Sequence, residues 1–222
     1  MSSPKRYLVL RSFLTHQEQL ELKDEAIQCH LQSSDSFAAT HATASLTLEL
    51  GVACGASLHG KLPLACQLAR RAFLQAHVEF PGEEAALQLL SSSCSYAGLA
   101  LLYGPDSKMS PHYDSPTQPG QGQEWLAMLT VGKSVDFVCN NDVITLTSGD
   151  ALVMDSMAVL HGVKGIVQDN NSIELPVKGS RLGVLLWQAR SVANVFINGD
   201  NDDVDGVNML FQDDSDDDDD DD

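Results

Sequence analysis

The chain has 222 residues, 43% of them apolar and 20% charged, which is enough length for a sizeable core and an ordinary balance for a globular protein. The net charge of −18 is unevenly placed: residues 200–222 carry 13 of the 31 acidic side chains and no Lys or Arg, so the remaining 199 residues hold 18 acidic against 13 basic side chains, a net −5. The longest apolar runs, such as Tyr96–Tyr103 and Leu182–Trp187, fall short of the roughly 18 residues that a membrane span needs, and no secretory apolar region follows Lys5 and Arg6. The five cysteines (Cys29, Cys54, Cys66, Cys94 and Cys139) are odd in number and form no Cys-x-x-Cys pair. This points away from a disulfide framework or structural zinc, and toward an intracellular, cytoplasmic or nuclear protein with no membrane partner.

In chain order, Tyr7–Leu10 reads as a strand. Thr15-His16-Gln17-Glu18 fits a capping box, and the amphipathic run behind it predicts a helix from about Gln17 to Leu31. Residues 32–60, rich in Ser, Ala, Thr and Gly, read as loop with one strand near Leu46–Leu50. Pro63 suits a first helical position, so a second helix is expected to about His77, burying Leu64, Leu68, Ala72 and Phe73. From Tyr96 onward, short apolar segments alternate with turn residues. Seven strands are expected: Leu99–Tyr103, Trp125–Val131, Val135–Cys139, Val143–Thr147, Ala151–Met154, Ile173–Val177 and Leu182–Trp187. The fold class is therefore α+β, with N-terminal helices and then a β sandwich or barrel. The Asp run at 213–222 repels itself and reads as a disordered acidic tail, a candidate for binding basic proteins.

Two motifs are set aside. Gly55–Leu62 nearly spells a phosphate-binding P-loop, but Leu62 stands where Ser or Thr would hold Mg²⁺. His16-x-Glu18 lies on a helix, where residues two apart project to nearly opposite sides.

His112-x-Asp114 differs in its setting, because Pro111 and Pro116 disfavour a helix and extended backbone puts i and i+2 on one side. With His161 downstream, two imidazoles and one carboxylate make the facial triad of non-haem Fe(II) oxygenases. Such a triad leaves positions for a 2-oxo acid and O₂. Arg181, opening an apolar strand, could grip the far carboxylate of 2-oxoglutarate with its planar fork, and Tyr103 could add a hydroxyl.

The stretch Leu102-Tyr103-Gly104-Pro105-Asp106-Ser107-Lys108-Met109-Ser110-Pro111-His112-Tyr113-Asp114 resembles the Tyr-x-Pro-Gly turn and His-x-Asp motif of the AlkB-like branch of the 2-oxoglutarate/Fe(II)-dependent dioxygenases. Gly149–Met154 with His161-Gly162-Val163 is similar to that family's distal-histidine segment, and Ser12–Leu22 to its opening helix. The resemblance spans about residues 62–190. It implies a double-stranded β-helix (jelly roll), Fe(II) held by His112, Asp114 and His161, 2-oxoglutarate held by Arg181 and Tyr103, O₂ as the other co-substrate, and oxidative demethylation. Two positions depart from the family: its second arginine is Trp187 and its Asn before the tyrosine is Leu101.

The expected organisation is an N-terminal strand, helix and possible substrate lid over 1–61, a dioxygenase domain over 62–199, and the tail over 200–222. The leading expectation for the substrate is a methylated nucleic acid. Its competitors are a protein or small-molecule substrate, as in a prolyl-hydroxylase-like enzyme, and a non-catalytic β-barrel binding module. The weakly acidic body and the single aromatic in 32–60, Phe37, speak against nucleic acid, which wants phosphate neutralisation and stacking partners.

Overall fold

A computed structural model describes residues 5–32, 62–92, 96–114, 124–170, 173–176 and 178–188, all within one unit, Met1–Arg190. The second unit, Ser191–Asp222, the segment with Leu46–Leu50 and Gly55–Lys61, and the acidic tail lie outside the described residues.

The first strand, β1 (Tyr7–Leu10), leads into α1 (His16–Gln32). The capping box forms: the Thr15 N–H donates to the Glu18 carboxylate at 2.8 Å, and the Glu18 N–H donates to the Thr15 hydroxyl at 3.2 Å. Helix α2 (Pro63–Ala76) has no cap from its own N-cap residue, Leu62. Glu25 of α1 supplies one instead, accepting the Leu64 and Ala65 N–H groups at 2.7 and 3.0 Å. The buried face of α2 is wider than the expected four residues: Ala65, Cys66, Leu68, Ala69, Ala72, Phe73 and Ala76 are buried, while Leu64 is half-buried. The extra width arises because α2 packs against both the sheet and a short helix, α3 (Glu84–Ser92), that the sequence reading missed.

Eight further strands follow: β2 (Tyr96–Tyr103), β3 (Met109–His112), β4 (Trp125–Gly132), β5 (Ser134–Cys139), β6 (Asp142–Leu146), β7 (Ala151–Asp155), β8 (His161–Val167) and β9 (Arg181–Gln188). They form a five-stranded sheet ordered β1-β7-β4-β9-β2 and a four-stranded sheet ordered β3-β8-β5-β6, with every pairing antiparallel. One apolar cluster lies between the helices and the larger sheet, and includes Phe73, Ala127, Leu129, Val153, Val184 and Leu186. A second fills the space between the sheets, with Met128, Val135, Phe137, Leu152, Met154 and Val163. This explains why all eight residues of β4 are buried: the strand has apolar layers on both faces.

Two strand assignments need correction. Residues Ile173–Pro176 are not a strand. Pro176 cannot donate to a ladder, and Ile173 and Leu175 spend their apolar surface as half-buried packing against the helix-side core. Conversely, β8 is a strand that its two glycines concealed. Gly162 is required there: a Cβ would come within 2.7 Å of the Met109 carbonyl oxygen and 2.9 Å of the Pro111 nitrogen, both backbone atoms of the neighbouring β3. Among the described residues no helix is long and apolar enough to cross a membrane, and Cys66 and Cys139 are buried free thiols.

Candidate metal and co-substrate site

β3 pairs with β8 so that His112 lies opposite His161. Directly opposed residues of an antiparallel pair share a face, and the two rings sit 4.5 Å apart between centroids. Asp114 lies just past the end of β3, where its backbone N–H donates to the Ser156 carbonyl at 3.1 Å. Its Oδ1 is 3.5 Å from His112 Nε2 and 3.6 Å from His161 Nε2. Two metal–ligand bonds of about 2.1 Å span up to about 4.2 Å end to end, so both separations suit a single shared ion. One donor atom from each of the three residues lies within 4.8 Å of the other two.

The imidazoles are oriented by the same local device. His112 Nδ1 is 2.9 Å from the Ser110 carbonyl oxygen, and His161 Nδ1 is 2.9 Å from that of Val159. A carbonyl only accepts, so each Nδ1 carries a proton and each Nε2 points to the space beside Asp114, where it donates to the carboxylate when protonated and offers a lone pair to a metal when not. Phe137 stacks beside His161, with centroids 6.3 Å apart. Burial pushes the Asp114 carboxyl up, but hydrogen bonds from His112 and Ser156 and the nearby His161 outweigh it and hold the group below the usual range. Burial pulls His161 down, while the bond to Asp114 pulls His112 up.

Arg181 opens β9, opposite Tyr103 on β2 and Gly132 on β4. Its side chain enters the inter-sheet space, 6.0 Å from the Tyr103 ring centroid, and is 0% exposed. Nε and Nη1 have no hydrogen-bond partner, and Nη2 reaches only the Met128 sulfur at 3.9 Å. Burial lowers its pKa to about 10, which still leaves a full cation at neutral pH. Burial likewise raises Tyr103 to about 12, against the opposing pull of Arg181, so its hydroxyl keeps a proton to donate. A buried guanidinium with orphaned donors is costly unless an anion arrives to pair with it. The donor set for a metal and this unsatisfied cation face one interior, so the residues present fit Fe(II) together with a 2-oxo acid bearing a far carboxylate.

Trp187 also faces inward, half-buried against the inter-sheet cluster. His16 and Glu18 contribute nothing to the site; Glu18 instead binds Thr15 and Arg71. Ser156 and Phe137 are site neighbours that sequence reasoning missed, since neither carries a motif.

No family model and no curated protein matches this chain. Among solved structures, it is similar to OsALKBH1, with TM-score 0.60 and 14% identity, covering 85% of this chain and 100% of that one. Its fold is the double-stranded β-helix. A Pseudomonas putida prolyl-4-hydroxylase has the same β-helix likeness, with TM-score 0.52 and 14% identity over 84% of this chain and 94% of that one. So does the non-haem α-ketoglutarate-dependent epimerase SnoN of nogalamycin biosynthesis, with TM-score 0.51 and 14% identity over 83% of this chain and 77% of that one. At these identities the likeness is one of fold.

Proposed function

We propose that the chain is a 2-oxoglutarate- and Fe(II)-dependent dioxygenase of AlkB-like type that oxidatively demethylates a methylated nucleic acid. The observation that carries the reading is Arg181, a fully buried cation with two unpartnered nitrogens in the interior that also holds His112, Asp114 and His161. In this reading His112, Asp114 and His161 hold the metal, and Arg181 and Tyr103 hold the far carboxylate of 2-oxoglutarate. When bound, Fe(II) with 2-oxoglutarate and O₂ supplies an oxidant able to hydroxylate a C–H bond, giving succinate and CO₂, and an N-methyl group so hydroxylated leaves as formaldehyde. The chain's own part is orientation. The Nδ1–H bonds fix both imidazoles, Arg181 fixes the co-substrate, and the apolar inter-sheet wall excludes water.

The AlkB-like branch draws support from the Tyr103–Asp114 motif and from the fold shared with OsALKBH1. Arg6, Arg11, Arg71 and Lys133 are committed to ion pairs. Lys108 and Lys164 are exposed cations next to the Met109–Val163 pair of β3 and β8, and this reading assigns them to phosphate contacts. The domain reading follows the same lines: a dioxygenase domain over 62–199 and an Asp-rich tail over 200–222 that engages basic proteins. The test is Fe(II)-dependent conversion of 2-oxoglutarate to succinate, with formaldehyde release from N-methylated oligonucleotides. Turnover stimulated by a proline peptide and not by oligonucleotides would move the substrate to protein. Absence of both 2-oxoglutarate binding and turnover would favour a non-catalytic binding module.

A further inference from the structure

Side chains two apart on a strand share a face, so the inward face of β9 runs through Arg181, Gly183, Leu185 and Trp187. Three of these carry large side chains, and the gap falls beside the cation. A Cβ built on Gly183 would stand 3.7 Å from Arg181 Nη1, 3.8 Å from Tyr103 Cε2 and 3.8 Å from Leu185 Cδ1. Nη1 is one of the two guanidinium nitrogens that have no hydrogen-bond partner. On the flanking strands Gly183 lies opposite Leu101 and Thr130. Leu101 has no polar side-chain atom, and the Thr130 hydroxyl is already bonded to the Thr147 and Asp150 carbonyls at 2.8 Å. Neither offers the guanidinium a partner.

The fold itself does not call for a glycine here. Gly132 and Gly149 have φ of +99° and +88°, and Gly162 is pressed by the β3 backbone. Gly183 has no positive φ, and the three contacts its Cβ would make are ordinary ones. A glycine in the interior of a strand weakens it, and where neither conformation nor crowding demands one, it marks the approach of something else. A carboxylate oxygen paired with Nη1 would lie about 2.8 Å from that nitrogen. The absent Cβ would stand at its side, between the guanidinium and the Tyr103 ring.

We infer that Gly183 is a specificity-determining residue of the co-substrate pocket, whose missing side chain leaves room beside Arg181 for the far end of 2-oxoglutarate and of a straight-chain 2-oxo diacid one methylene longer. The inference rests on the co-substrate reading of the preceding section and adds to it the residue that sets the pocket's width.

The experiment is calorimetric titration of the Co(II)-loaded full chain with 2-oxoglutarate and with 2-oxoadipate. The wild type should bind both. Gly183→Ala should shift the ratio of the two affinities about tenfold or more toward 2-oxoglutarate, as one methylene of misfit is generally worth about 10–200-fold. Its Co(II) affinity should stay as in the wild type. Gly183→Asp places a carboxylate one bond beyond Cβ, within reach of Nη1; it should weaken both acids about 100-fold or more and raise the ligand-free melting temperature. Gly183→Asn fills the same space without the charge and should melt below the Asp variant. An unchanged ratio in Gly183→Ala, or exclusion of 2-oxoadipate by the wild type, overturns the role of Gly183 and leaves the co-substrate reading standing. So does wild-type 2-oxoglutarate affinity in Gly183→Asp; if that variant fails to fold, the alanine ratio decides alone. Failure of the wild type to bind either acid overturns the co-substrate reading and this role together.

Discussion

Replacing Arg181 with methionine should push stability and ligand binding in opposite directions. The guanidinium is 0% exposed, and its Nε and Nη1 have no partner. Each buried unsatisfied donor costs about 1–3 kcal/mol, so even the low end for two donors gives about 2 kcal/mol of strain that a methionine of similar length would relieve. For a unit of this size 1 kcal/mol moves the melting temperature by about 2–4 °C, so the ligand-free Arg181→Met protein should melt about 4–8 °C above the wild type. The far carboxylate of 2-oxoglutarate would then lose a charge-assisted, two-pronged contact worth about 1.5–3 kcal/mol, weakening binding about tenfold or more. With metal present and 2-oxoglutarate at about 100 times its wild-type Kd, the wild type should gain about 2.7 kcal/mol of stability and the variant far less. Differential scanning calorimetry of both proteins, with and without 2-oxoglutarate, reads the two effects at once. A ligand-free variant that melts below the wild type while keeping its full 2-oxoglutarate shift would refute the reasoning, since Arg181 would then be a structural cation rather than a carboxylate receptor.

Three other outcomes are expected. His112→Ala and Asp114→Ala should each abolish tight Co(II) binding with the far-UV circular dichroism unchanged, and full retention by Asp114→Ala would sink the triad. Gly162→Ala must displace β3, because its Cβ would meet the Met109 oxygen at 2.7 Å; the melting temperature should fall by an amount equivalent to about 1–3 kcal/mol and metal affinity should fall with it, as His112 rides on that strand. The Arg71 guanidinium beside Glu18, at 2.6 Å, holds that carboxyl at about 2, well below its ordinary value. Since the folded-state pKa is depressed, the pair's contribution is complete above about pH 4.5 and lost as pH falls toward 2; with both groups partly solvated it amounts to about 1 kcal/mol. Arg71→Ala should flatten that part of the acid-unfolding curve, and an unaltered curve would show the pair to be inert.

Most strands were legible because they carry unbroken apolar runs; β4 and β9 need such runs, being covered by helices on one side and the second sheet on the other. β8 was not, since Gly162 and Gly165 interrupt its pattern, and Gly162 is there for the closeness of β3, a contact between segments about 50 residues apart. α3 was too short, at nine residues, to stand out by periodicity. The candidate ligands could be picked out because His112 and Asp114 are adjacent in an extended, proline-flanked stretch, whereas their convergence with His161 depends on the β3–β8 register. Ser156 had no signature at all. Its carbonyl meets the Asp114 N–H because of where the β7 turn ends, and nothing in Asp155-Ser156-Met157 foretells that contact.

The Glu25 carboxylate on the first two N–H groups of α2 has a consequence for how the chain tolerates change. It joins α1 and α2 across 39 residues by a polar clasp, so the ends of the intervening stretch are set by the clasp and not by that stretch. Closing a loop costs free energy only as the logarithm of its length, with each doubling worth about 0.6 kcal/mol. Residues 33–61 can therefore lengthen, shorten or exchange sequence at little expense to the two sheets, because the clasp keeps α1 and α2 joined whatever lies between them.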